Sequence, residues 1–169
     1  AAGYDVSGVL FNLVIVGVTN FLFTLVAMAT VDKFGRRILI LWGSVGLVIC
    51  YSLIGYFFYR NIEGVVVLIA VLGAIACFAA TLGPVMWVLI SEIFPNRVRG
   101  LATSIAVWSL WIANFVLSYT FPIIKDVFSI AATFWLYAGI CVLGVIFIKY
   151  FIPETKGKTL EELEIELTK

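Results

Sequence analysis

The chain has 169 residues, of which 63% are hydrophobic and 12% charged, about half the charge of a soluble domain of this length. Mean hydropathy is +1.15 and formal net charge +1, the profile of an integral membrane protein with no electrostatic bias toward nucleic acid. Histidine is absent, which excludes His-dependent catalysis and a His-ligated metal.

Crossing the hydrocarbon core takes about 20 apolar residues, and five runs are long enough: 9–31, 38–59, 65–90, 101–124 and 129–152. Runs this long and this uniformly apolar are helices, because a spanning strand is shorter and alternates. The predicted fold is an all-α integral membrane protein with five transmembrane helices over 9–152. Residues 1–8, AAGYDVSG, read as an extracytoplasmic loop, and 153–169 as a cytoplasmic tail carrying a helix. With no initiating Met, the chain is expected to be one segment of a longer polypeptide.

Orientation follows from the connections. The first loop (Asp32-Lys33-Phe34-Gly35-Arg36-Arg37), the third (Glu92 to Gly100) and the tail fall on one side. Of the 11 basic residues, nine lie there: Lys33, Arg36, Arg37, Arg97, Arg99, Lys149, Lys156, Lys158 and Lys169. Only Arg60 and Lys125 lie opposite. By the positive-inside rule the first side, with the C-terminus, is cytoplasmic. Tyr4, Trp42, Tyr56, Tyr59 and Tyr150 stand near the interfaces, where aromatic rings are favoured. Gly43, Gly46 and Gly73 are expected to allow close helix approach. Cys50, Cys77 and Cys141 sit in apolar runs without CxxC spacing and read as packing residues rather than as a metal or disulfide set.

The third span carries a helix-breaking pair, Gly83-Pro84, with Trp87 beside it and the charges Glu92, Arg97 and Arg99 at its end. The tail begins at Pro153, and Thr159-Leu160-Glu161-Glu162 matches a capping box for a helix with Leu160, Leu163 and Leu167 on one face.

Polar groups inside a span are costly and tend to be functional. Asn20, with Thr24 one turn on, sits in the middle of the first span. Asn114 sits in the middle of the fourth, with Trp111 on the same face. A carboxamide beside indole rings suits a neutral polyhydroxylated ligand: the amide both donates and accepts, and the ring covers the ligand's C–H face. The competing reading is an asparagine bonding helix to helix. No acid lies in the middle of a span, so a proton-coupling carboxylate is expected outside this chain or not at all. At the cytoplasmic boundary Asp32, Arg36, Arg37, Glu92, Arg97, Arg99 and Glu154 are either solvated loop charges or an interhelical network that biases a conformational equilibrium.

Three motifs then carry a resemblance. Asp32-Lys33-Phe34-Gly35-Arg36-Arg37 resembles the D/E-R/K-x-G-R-R loop of the major facilitator superfamily. Pro84-x-x-Trp87 followed by Ser91-Glu92-Ile93-Phe94-Pro95-x-Arg97-x-Arg99-Gly100 resembles the signature of its sugar porter family, as does the tail sequence Pro153-Glu154-Thr155-Lys156-Gly157. The resemblance implies twelve spans in two halves, with this chain similar to spans eight to twelve, and the N-terminal half and seventh span as partners. It implies alternating access around a midplane site for a monosaccharide, xylose or a related pentose or hexose, with protons as co-substrate, in a bacterial inner membrane. No cofactor or catalytic residue is implied. Asn20, Trp87, Trp111 and Asn114 match sugar-contacting or bordering positions, Gly83 and Pro84 the gate, and the seven charged residues the cytoplasmic network. Two positions depart. Leu110 stands where members often carry an amide, and Ala79 where facilitative animal members carry Glu. The alternatives are a facilitative sugar or polyol uniporter and a non-transporting sugar sensor on the same fold.

Overall fold

The structure, a computed structural model, describes residues 6–62, 64–94 and 98–157. Six helices follow in order: α1 Val6–Phe34, α2 Arg36–Tyr59, α3 Val65–Ala80, α4 Leu82–Ile93, α5 Arg99–Val127 and α6 Ile130–Phe151. α3 and α4 form one interrupted span, so the described residues hold five helices of membrane-crossing length. The helix expected from residue 9 already begins at Val6, which shortens the expected 1–8 loop. Tyr4, Arg97 and the proposed tail helix lie outside the described residues.

The first loop is far tighter than the six residues expected. α1 stays helical through Asp32, Lys33 and Phe34, and α2 starts at Arg36. Gly35 makes the whole turn, at φ +91°, a conformation that costs a side-chain-bearing residue roughly 1–2 kcal/mol. The far end of α2 closes differently. Asn61 adopts a left-handed conformation (φ 52°), and the Asn61 and Ile62 N–H groups bond back to Phe58 (3.2 Å) and Phe57 (2.9 Å), the double bond of a Schellman motif. Ser129 caps α6 by accepting from the Ala132 N–H at 3.1 Å.

The break in the third span falls at Thr81 rather than at Gly83-Pro84, and proline chemistry explains the offset. A proline ring crowds the carbonyl four residues earlier and offers it no N–H. For Pro84 that carbonyl belongs to Ala80, so the chain leaves the helix at Thr81 (φ −138°, ψ −84°) and restarts with Pro84 in the first turn of α4, where no proline donor is needed. The Thr81 N–H turns to Phe78 O (3.3 Å). Its hydroxyl donates to the Cys77 carbonyl at 2.6 Å.

α2 is the central element. It packs most extensively on α6 and next on α3, while α1 lies on α3 and α5 touches only α4 and α6. Small residues make the α2–α3 seam. A Cβ on Gly43 would stand 1.7 Å from Thr81 Oγ1, and one on Gly46 would stand 2.7 Å from Cys77 Sγ. Gly73 has only ordinary contact with Cys50, 3.5 Å away. Gly55, not anticipated, holds α6 instead, with Trp135 Cδ1 at 2.5 Å from the same construction. Toward the end of the bundle where α2 begins, Ile40, Val85, Leu89 and Ile148 form a buried cluster joining α2, α4 and α6. The three cysteines are free and half-buried. The peripheral helices keep large apolar side chains on their outer faces, Phe11 on α1 and Trp108 and Phe115 on α5 among them.

A polar-aromatic cavity and a charge cluster at the helix ends

A cavity of about 780 Å³ opens between α1, α4 and α5, with α2 and α3 behind it. Asn20, Trp87, Trp111 and Asn114, chosen from three different spans, all line it, and so do Gly83 and Pro84. The break at Thr81 produces this arrangement: it redirects the chain so that the first two turns of α4 form one wall. Trp87 and Trp111 are 49% and 58% exposed, with ring surface free for a ligand. No Asp, Glu, Lys or Arg is among the lining residues. The wall therefore offers amides, hydroxyls and indoles to a neutral ligand, and no ion-pair partner to a charged one. Tyr51 also lines the cavity, as do Ala79 and Leu110. Sequence reasoning missed Tyr51, because an aromatic ring inside an apolar run reads as packing until the fold shows which way its helix faces.

Each asparagine has a hydroxyl one turn later. Thr24 Oγ1 donates to the Asn20 main-chain carbonyl at 2.8 Å and to Oδ1 at 3.3 Å. Ser118 Oγ donates to Asn114 Oδ1 at 3.4 Å.

At the end of the bundle where α2 begins, the expected charges meet around Arg36. Its guanidinium forks onto Glu92, with Nε to Oε2 at 3.1 Å and Nη2 to Oε1 at 2.9 Å. Its side chain is only 14% exposed, so this bidentate bond is a strong one. The contact from Arg36 to Asp32, 3.1 Å, leaves the aspartate 79% exposed and contributes little. Glu154 acts through the backbone: its Oε1 accepts from the Arg36 N–H at 3.0 Å and the Lys156 N–H at 3.1 Å. A carboxylate there caps the N-terminus of α2, where the helix dipole favours a negative charge. Two expected members join by other means. Arg37 Nη2 donates to the Lys149 carbonyl near the end of α6. Arg99 Nε donates to the Phe94 carbonyl at 3.2 Å, with no carboxylate partner among the described residues.

Three further residues complete the cluster. Thr155, 4% exposed, donates to Glu92 Oε2 at 2.7 Å. Lys156 Nζ donates to the Lys33 carbonyl at 2.5 Å. Gly35 leaves the space that Glu154 fills: a Cβ there would lie 2.8 Å from Glu154 Oε2. The Gly within the first loop motif was the available signal, but its partner lies 119 positions away.

Five membrane-length helices, one of them broken beside an uncharged cavity, define the class: a membrane-spanning helix bundle of the transporter type. The fold matches that of the major facilitator superfamily proton:xylose symporter bound to 6-bromo-6-deoxy-D-glucose, with a TM-score of 0.89 and 44% identity over 98% of this chain and 36% of that one. An inward-open structure of the xylose transporter from E. coli matches with a TM-score of 0.88 and 47% identity, over 94% and 36% of the two chains. The family model described as "Sugar (and other) transporter" matches residues 1–167, and the chain belongs to that family. Among relatives, the D-xylose-proton symporter of Escherichia coli is 47% identical over 92% of this chain and 33% of its own length. The arabinose-proton symporter of Bacillus subtilis is 42% identical over 89% and 32%, and the glucose facilitated diffusion protein of Zymomonas mobilis 36% identical over 96% and 36%. The chain thus spans about a third of the length of the relatives it matches.

Proposed function

We propose that this chain supplies part of the C-terminal half of a secondary transporter that moves a pentose or hexose by alternating access, with proton symport. The observation that carries the reading is the convergence of Asn20, Trp87, Trp111 and Asn114 on one uncharged cavity. Two carboxamides and two indoles are the groups needed to bind neighbouring hydroxyls and cover a sugar ring. Gly83 and Pro84, on the cavity wall beside the break, serve as its gate. The charge cluster holds the cytoplasmic ends of the helices together in one state of the cycle. The remaining helices, including the seventh span and the N-terminal half, close the cavity on its open side and supply the proton-coupling acid. The basic loops and tail place the C-terminus in the cytoplasm of a bacterial inner-membrane protein.

Proton coupling is supported by the xylose and arabinose relatives, both named as proton symporters. The Zymomonas relative, named for facilitated diffusion, favours a second reading, uniport. Uptake of labelled D-xylose into vesicles with and without a proton ionophore separates the two. Symport loses accumulation when the gradient collapses, whereas indifference to the ionophore establishes uniport. Asn114→Ala and Trp87→Ala in the full-length transporter should each weaken sugar affinity about tenfold, the effect of roughly one lost hydrogen bond or stacking contact. Unchanged affinity by calorimetry would remove these residues from the site.

A further inference from the structure

Among the Ser and Thr hydroxyls of α5 that donate a hydrogen bond, one departs from helical habit. Ser104, Ser109 and Thr120 each donate to the main-chain carbonyl four residues back, at 2.8, 2.9 and 2.7 Å, the ordinary behaviour of a helical Ser or Thr. Ser118 donates instead to a side chain, the Asn114 carboxamide oxygen at 3.4 Å. Pro122, inside the same helix, removes the N–H that the Ser118 carbonyl would otherwise receive and loosens this turn. Ser118 itself is outside the cavity lining, while Asn114 is part of it.

A hydroxyl has one proton, and a carboxamide has one acceptor end and one donor end. Ser118 takes up the oxygen end of the Asn114 carboxamide, which leaves its NH2 group as the end available to a ligand. We propose that Ser118 is a positioning residue that sets Asn114 as a hydrogen-bond donor, so that the site reads one sugar hydroxyl through its lone pairs rather than through its proton. Thr24 does the same for Asn20 with a weaker hold, because its proton is shared with the main-chain carbonyl at 2.8 Å. The inference rests on the sugar-cavity reading and adds a polarity to it. At 3.4 Å the bond is long for a hydroxyl donor. It biases the amide's orientation, and its loss costs selectivity more than affinity.

Fluorine distinguishes the two polarities, since C–F accepts a hydrogen bond and cannot donate one, while C–H does neither. The test is calorimetric binding of D-xylose and its monodeoxy and monofluoro analogues, carbon by carbon, to the full-length transporter. At one ring position the fluoro analogue is expected within about threefold of the parent sugar and the deoxy analogue about tenfold weaker, the difference of roughly one hydrogen bond. Ser118→Ala frees the amide to rotate and narrows that fluoro–deoxy gap to about twofold or less, while Ser118→Thr retains it. Asn114→Asp, which keeps the shape and removes the donor, abolishes the gap. A fluoro analogue as weak as the deoxy analogue at every position overturns the proposal, and so does a gap that survives Ser118→Ala in a variant of unchanged thermal stability. Failure of every sugar to bind the wild-type transporter would overturn the cavity reading itself, a result distinguishable from sugar binding without a gap.

Discussion

Replacing Gly35 with alanine strikes the point where the tail is seated on the helix ends. The new methyl carbon would lie 2.8, 2.9 and 3.0 Å from Glu154 Oε2, Cδ and Oε1, closer than such contacts normally come, so the carboxylate must leave. Its Oε1 accepts from the Arg36 and Lys156 N–H groups, and hydrogen bonds to a charged group contribute roughly 1.5–3 kcal/mol each. The φ of +91° adds a strain of roughly 1–2 kcal/mol for a residue with a Cβ. Two such bonds and the strain sum to roughly 4–8 kcal/mol, and with the carboxylate displaced the tail loses its seat on α2. Gly35→Ala should therefore lower the thermal stability of the full-length transporter and raise the labelling rate of Lys156→Cys by a membrane-impermeant maleimide. The decisive measurement is a double-mutant cycle with Glu154→Ala. If the clash is the cause, Gly35→Ala in that background costs only its backbone strain, leaving a coupling of roughly 1.5 kcal/mol or more between the two sites. Additive effects would refute the seat.

Gly43→Ala should be the most damaging glycine change in the α2–α3 seam. Its Cβ would overlap Thr81 Oγ1 at 1.7 Å and force the two helices apart at a cost of about 3 kcal/mol, read as lost thermal stability. Arg36→Lys keeps the charge but loses the two-pronged bond to Glu92. A loss of about 1–2 kcal/mol is expected, and a melting temperature equal to wild type would show that the fork contributes nothing. Pro84→Ala restores an N–H for the Ala80 carbonyl and should raise stability while slowing transport, with sugar affinity lowered because the break shapes the cavity wall on which Pro84 stands. Faster or unaltered turnover would contradict the assignment of the break to Pro84.

The five spans were legible because a bilayer leaves few options: a crossing helix must be long and apolar, and a polar residue within it stands out. Asn20, Asn114, Trp87 and Trp111 were found on that ground, and the fold gathers them in one cavity. Tyr51 carried no such contrast. The break was misplaced by two to three residues because proline acts on the carbonyl four positions before it, at Ala80, and not where it stands. Charge alone left Arg37 and Arg99 as either solvated loop residues or members of an interhelical network, and both in fact donate to main-chain carbonyls. A guanidinium serves an unsatisfied carbonyl at a helix end as readily as a carboxylate, and sequence does not say which is nearer. The seat of Glu154 over Gly35 joins positions far apart in the chain, so no local pattern could reveal it.

α4 is the element on which both sites converge. It leaves the break at Thr81 with Gly83, Pro84 and Trp87 on the cavity wall and ends with Glu92 between Arg36 and Thr155. From Thr81 to Glu92 the axis runs about 16 Å at a rise of about 1.5 Å per residue. A tilt of about 10° at the break thus moves Glu92 by about 3 Å along an arc of that radius, enough to part bonds of 2.7–2.9 Å. The same tilt moves Trp87, at about half the radius, by only about 1.5 Å. Under the proposed alternating access, a small adjustment of an indole to a ligand would be amplified at the charge cluster, provided α4 stays rigid below the break. Val85 and Leu89, 1% and 4% exposed, supply that rigidity on its buried face. They also pack on Ile40 of α2, four residues beyond Arg36, so that helix resists the tilt at the end where the fork is made. In that proposal the cavity and the cluster act as one lever, with its fulcrum at Thr81 and its latch at Arg36.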